Sequence, residues 1–203
     1  MTGDRGGDVD ESKRATLRRF AAIGAASPLV GLASASTSET PDAIAGYLAS
    51  TPGAHFSKVR DDLQLGTGEA QHHLRTLERE GAVESVKDGD YRRYFPAGRF
   101  SAFEQTALGY LRRDTPRGML VALLREPRTA GTTLAADLDV SRPTVSKYAA
   151  ELADAGLLAN EDGYVVREPE TVLLLLVRYA DSFGEDAADL AAAADDLVDY
   201  SPE

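Results

Sequence analysis

Cysteine is missing from this chain of 203 residues, which excludes disulfides and thiolate metal sites and leaves the redox compartment open. Lysine is scarce. Lys13, Lys58, Lys87 and Lys147 stand against 18 arginines and 33 acidic residues, for a net charge of −11. The overall positive charge of a typical nucleic-acid binder is therefore absent, and any phosphate contact needs a local basic patch. An acidic, lysine-poor composition is also that of proteins working in molar salt, where high net charge maintains solubility and salt screens self-repulsion. On that reading the acidity reports a halophile's solvent rather than the partner. A long apolar run is lacking too. The stretch 20–35, rich in Ala, Gly, Ser and Leu, contains Pro28 and falls short of the ~20 residues a spanning helix needs.

Signatures of catalysis are lacking as well. No arrangement of serine, histidine and acid stands out, and Gly66-Thr67-Gly68 has neither the lysine nor the spacing of a phosphate loop. The histidines are His55, His72 and His73. Adjacent histidines on a helix point about 100° apart, so His72 and His73 make a poor chelate. His73 falls toward the buried side as a packing residue, and His72 toward solvent. Acid pairs such as Asp61-Asp62 and Asp195-Asp196 fit solvated faces. The expectation is no enzyme, no cofactor and no metal.

What is present is one pattern written twice, at an offset of 75 positions without a gap. Pro41 answers Pro116, Leu48 answers Leu123, Asp62-Leu63 answers Asp137-Leu138, and Gly81 answers Gly156. Such self-similarity marks two copies of one small domain. In the first copy, Ile44, Tyr47 and Leu48 share a helical face that Thr51-Pro52-Gly53 ends. A short helix follows from Ser57, then a turn at Leu65-Gly66-Thr67 and a longer helix from Gly68 to Glu80. Two strand-like runs, Ala82–Val86 and Tyr91–Phe95, flank Asp88-Gly89, a strong hairpin signal. The second copy repeats the order: Met119 to Leu124, Thr132 to Leu138, Ser141 to Ala155, then a hairpin around Asp162-Gly163.

Three helices and a two-stranded wing predict a winged helix-turn-helix, whose third helix enters the major groove. That helix must keep an apolar face for the core and free its other face for bases and phosphates. Ser141-Arg142-Pro143-Thr144-Val145-Ser146-Lys147 meets this need, with a capping serine and a proline in the first turn. Val145 faces inward, leaving Ser141, Arg142, Thr144, Ser146 and Lys147 for DNA. In the first copy the candidates are Thr67, Gln71, His72 and Arg75, with Arg92 and Arg93 in the wing. Strand alternation predicts that one of these two arginines reaches DNA and the other lies against the domain.

The tandem resembles archaeal winged-helix transcriptional regulators related to the ArsR and MarR families. The resemblance rests on His55-Phe56, Leu65-Gly66-Thr67-Gly68, Gln71-His72-His73-Leu74, Leu77-Glu78-Arg79-Glu80-Gly81, the wing Tyr91-Arg92-Arg93-Tyr94-Phe95-Pro96 and the second copy's Val140 to Ser146. It covers residues 41–167 and implies double-stranded DNA as the partner. Two departures stand against it. Glu69, Glu78 and Glu80 place negative charge on the first recognition helix, and the second wing, Asn160-Glu161-Asp162, is acidic where the first has Lys87, Arg92 and Arg93. One copy would then bind DNA while the other packs, dimerises or senses. The alternative is that both copies are scaffolds for protein contacts.

The termini complete the reading. Residues 1–12 are Gly- and Asp-rich and predict disorder. Lys13-Arg14, Arg18-Arg19, the weakly apolar run and Ala33-Ser34-Ala35 follow the order of a twin-arginine export signal, although Phe20 directly follows Arg19. The competing reading is a helix packed on the domains, on a second subunit or on a membrane through residues 13–35. Two further helices are expected at Pro169–Phe183 and Glu185–Tyr200, the first buried against something, since its run Val172–Val177 is apolar on every side. The predicted fold is mainly α with small β wings. Its parts are 1–36 (disordered start, then the signal-like or packing helix), 37–98 (first winged helix-turn-helix), 99–114 (connecting helix), 115–168 (second winged helix-turn-helix) and 169–203 (C-terminal helices). The predicted function is sequence-specific DNA binding in cytoplasmic transcription regulation, with a homodimer possible. The alternative is a membrane-associated or exported protein that uses winged helices to bind proteins.

Overall fold

A computed structural model describes residues 6–25, 39–160 and 162–192, which fall into two units, Met1–Phe100 and Ser101–Glu203. The architecture is mostly helical, with small antiparallel sheets.

The first unit contains α1 (Gly6–Ala25), α2 (Glu39–Ser50), β1 (Ala54–His55), α3 (Phe56–Asp62), α4 (Thr67–Arg79), β2 (Val83–Asp88) and β3 (Tyr91–Pro96). Ile44, Tyr47 and Leu48 of α2 meet Val59 and Leu63 around α3, and Ala70, Leu74 and Leu77 of α4 close the core. His55 caps α3, its Nδ1 accepting from the Lys58 N–H at 3.3 Å. The hairpin β2–β3 pairs Val83 with Pro96 through Asp88 with Tyr91. A third strand was not expected: β1 pairs with β3, Ala54 opposite Tyr94 and His55 opposite Arg93. It ties the turn after α2 to the wing.

Over residues 6–12 the N-terminal segment departs from the expected disorder, since α1 starts at Gly6; residues 1–5 lie outside the described residues. Its apolar face is spent on its own unit. Leu17 is buried in the core, and the Phe20 ring meets Tyr47 edge-on at 5.2 Å between centroids. Burying one leucine is worth about 1.5–3 kcal/mol, which helps offset the cost of ordering a Gly- and Asp-rich start. Arg18 pairs with Glu39 at 3.5 Å. Of the export-like pattern, Pro28 and Ala33-Ser34-Ala35 lie outside the described residues. Among the described residues no helix is long and apolar enough to cross a membrane.

The second unit contains α5 (Ala102–Leu111), α6 (Asp114–Arg125), α7 (Gly131–Asp137), α8 (Arg142–Asp154), β4 (Leu158–Asn160), β5 (Tyr164–Val166), α9 (Pro169–Arg178), a 3-10 turn (Ala180–Ser182) and α10 (Glu185–Ala192). Helix α5 begins at Ser101, which accepts from the Glu104 N–H while the Glu104 carboxylate accepts from the Ser101 N–H, a reciprocal cap. Met119, Leu120 and Leu123 of α6 are buried, as are Val145, Ala149 and Leu152 of α8. The helix expected to run from Pro169 to Phe183 breaks at Tyr179. There the Arg112 guanidinium donates to the Ser182 carbonyl at 2.6 Å and covers the Phe183 ring. Helix α9 buries one face, with Val172, Leu175 and Leu176 turned to the core and Leu174 61% exposed.

The bounds of α6, α7 and α8 are those of α2, α3 and α4, each moved on by 75 residues. Backbone conformation repeats with them. Gln64 and Asp139, in the turns before α4 and α8, are both left-handed at φ 53° and 50°. Such values are uncommon outside glycine, so the same tight turn is built twice. Gly81 and Gly156 end the long helices at φ 72° and 76°, where a glycine terminates a helix without a Cβ penalty.

Candidate nucleic-acid interface

Helix α4 turns Ala70, Leu74 and Leu77 inward, so its opposite side forms the free face. Thr67, Gln71, His72 and Arg75 are all exposed on it. A 13-residue helix is about 20 Å long, enough to lie along a major groove. An open depression of about 560 Å³ is lined by Gly68, Gln71, His72, Arg75, Glu78 and Arg79. A second, of about 290 Å³, lies between α4 and the wing and includes Thr67, Gln71, Arg75, Arg92 and Tyr94. Four of the predicted residues, Thr67, Gln71, Arg75 and Arg92, thus line one groove.

The two wing arginines separate as strand alternation demands. Arg92 is exposed and lies 3.8 Å from Glu78 of α4. Arg93 is 4% exposed, ion-paired with Asp88 and donating to the Gly53 carbonyl at 3.1 Å. Arg93, expected among the DNA contacts, is a bracket inside the domain. Its side chain joins the hairpin turn to the turn after α2 and so fixes where Arg92 points.

Of the three acidic residues that stood against a phosphate-binding helix, Glu69 and Glu78 have partners, and Glu80 is exposed beyond the end of α4. Glu69 accepts from Lys13 of α1 at 3.0 Å and from the Gly66 N–H at 3.2 Å. Burial alone raises its pKa, but the Lys13 ammonium and the Gly66 N–H hold it below the ordinary carboxylate value. Glu78 accepts from Ser85 of β2 and from there faces Arg92. The charge of Glu69 is therefore met by α1 on one side and that of Glu78 by the wing on the other. Sequence reasoning missed Arg79, which donates to the Arg75 carbonyl and to Thr76, since its place at the helix end gave no signal.

The histidines divide as expected. His72 is exposed and His73 half-buried, with rings 5.2 Å apart and edge-on. Burial, then the neighbouring His72, lowers the His73 pKa against the opposing effect of Glu69. The His55 pKa is lowered by burial first, then by the charges of Arg93 and Lys58.

In the second unit, Ser141, Arg142, Ser146 and Lys147 are exposed on α8 and Thr144 is half-exposed. Ser141 accepts from the Thr144 N–H at 3.2 Å, and the two hydroxyls lie 2.8 Å apart, so both are engaged in the cap. Lys147 lies 3.7 Å from Glu151, which also holds Arg113 at 3.5 Å. The hairpin strands have three residues each, against six in the first unit. Thus α8 keeps a polar free face, but its cations are partly engaged and its wing is a stub.

Residues 38–108 match a family model described as an N-terminal HTH (helix-turn-helix) domain. The matched stretch contains α3, the turn at Gln64, α4 and the whole β2–β3 hairpin. The chain is also similar to an uncharacterized HTH-type transcriptional regulator of Methanocaldococcus jannaschii, at 26% identity over 124 residues. That alignment takes in 61% of this chain and 31% of the relative, so the chain spans about a third of that protein's length. The first unit carries a helix-turn-helix domain, and the lineage it resembles is that of transcription regulators.

Proposed function

We propose that the chain is a transcription regulator that binds double-stranded DNA in a sequence-specific way, with α4 in the major groove and Arg92 of the wing on the adjacent backbone. The observation that carries this reading is the convergence of Thr67, Gln71, Arg75 and Arg92 on one open groove. Gln71 and Arg75 are suited to base edges, glutamine bidentate to adenine and arginine to guanine, and Thr67 to either phosphate or base. Arg92 and Lys87 supply the local positive charge that the chain as a whole lacks.

The second unit is a second winged helix-turn-helix in this reading, related to the first by the 75-residue offset. Its stub wing and the Lys147–Glu151 pair favour a lesser part in DNA binding, through Arg142 and Ser146, or a part in assembly. The acidic remainder of the surface fits a salt-rich cytoplasm, and the kinship of the whole is with ArsR- and MarR-type regulators. In vitro selection of duplexes with the full chain tests the reading. A defined sequence motif is expected, and paired half-sites about 10 base pairs apart would mark a dimer. Recovery of duplexes without a shared motif would sink the sequence-specific claim.

A further inference from the structure

Helix α1 lies outside the residues matched by the helix-turn-helix family, yet it touches the reading head at two points. Lys13 Nζ donates to Glu69 Oε2 at 3.0 Å, and the turn residue Gln64 donates to the Ser12 hydroxyl at 3.4 Å. Leu17 and Phe20 anchor α1 against the core of the unit. Glu69 is the third residue of α4, two positions from both Thr67 and Gln71. A bare carboxylate there would lie within a Debye length, about 10 Å, of any phosphate next to the helix start. Lys13 is one of only four lysines in the chain, and its side chain is spent on this carboxylate.

We propose that α1 is a working part of the DNA-reading head: Lys13 neutralises Glu69 and so permits the start of α4 to approach phosphate. The proposal rests on the DNA reading above and adds a positioning residue from a segment outside the matched domain. Glu69 is kept because its carboxylate also closes the start of α4 by accepting from the Gly66 N–H, a role that glutamine at this position can fill without charge.

That chemistry supplies the test. With the full chain and a duplex recovered by selection, Lys13→Ala should weaken binding roughly three- to tenfold at low salt, the loss shrinking as salt rises. Lys13→Arg should bind as the wild type does. Adding Glu69→Gln to Lys13→Ala should restore binding, because it removes the exposed charge and keeps the cap. A loss that Glu69→Gln does not repair would overturn the proposal, as would unchanged affinity in Lys13→Ala. A measurement without DNA separates the two levels. By NMR, the titration midpoint of the Glu69 carboxyl should rise in Lys13→Ala. An unmoved midpoint refutes the Lys13–Glu69 contact and leaves the DNA reading standing. A wild-type chain that selects no duplex defeats the DNA reading and the proposal together.

Discussion

Arg93 offers the sharpest stability prediction, because its neighbour Arg92 is the built-in control. Replacing Arg93 with methionine keeps most of the buried stem and removes the guanidinium. Asp88 is then without its Arg93 ion pair, and the Gly53 carbonyl is short of a donor. Removing one partner of a buried pair costs about 3–5 kcal/mol when the other stays buried and unpaired. Here the Arg93 side chain is 5% exposed but that of Asp88 is 20% exposed, so water can approach the Asp88 carboxylate. The expected loss is therefore at or below the low end, about 2–3 kcal/mol. For a unit of this size each kcal/mol moves the midpoint by about 4–8 °C, so the shift should exceed about 8 °C. Circular dichroism of thermal and urea unfolding measures it. Asp88→Asn combined with Arg93→Met should recover part of the loss, since the carboxylate that Arg93 neutralised is gone. Arg92→Ala should stay within about 0.5 kcal/mol of the wild type. A similarly small effect of Arg93→Met would refute the assignment of Arg93 as the wing's bracket.

Other outcomes follow from the same geometry. Gly81→Ala and Gly156→Ala meet no nearby atoms, so each should cost only the left-handed backbone penalty of about 1–2 kcal/mol in urea unfolding. Wild-type stability there would contradict the repeated helix stop. The pKa values of His55 and His73 are both lowered in the fold, so the unfolded chain takes up protons first as pH falls. Their contribution should be intact above the ordinary histidine value, about 6.5, and decline progressively as pH drops below it. His55→Asn keeps a capping acceptor for α3 and should flatten part of that slope; an unchanged slope would count against burial and the neighbouring Arg93 and Lys58 charges as a source of it. Arg142→Ala with Lys147→Ala should leave the fold intact and weaken DNA binding. Every cation withdrawn from a phosphate should flatten the salt dependence by about one unit. Unchanged affinity and slope would remove α8 from the DNA surface.

Much of the helical framework was legible because its signals are local and repeated. The 75-residue offset placed three helices twice, and the glycines at 81 and 156 marked where the long ones end. Asp88-Gly89 located the wing hairpin. Features set by tertiary contact were not legible. Strand β1 has two residues, too few to show alternation. Helix α1 begins in a composition typical of disorder and is held by Leu17 and Phe20, whose partner Tyr47 is far along the chain. The break at Tyr179 goes with the grip of Arg112 on Ser182, 70 residues away in sequence. At the candidate site, the exposed face of α4 could be read from its 3.6-residue period. The neutralisation of Glu69 by Lys13, 56 residues distant, could not.

The central claim is that the groove between α4 and the wing reads base sequence. Repeating the selection with Arg75→Ala tests it most directly. The claim predicts that the variant still recovers duplexes but loses preference at one base pair of the motif, by about 1–3 kcal/mol, with the remaining positions unchanged. A motif identical to that of the wild type would contradict it and move base recognition away from α4.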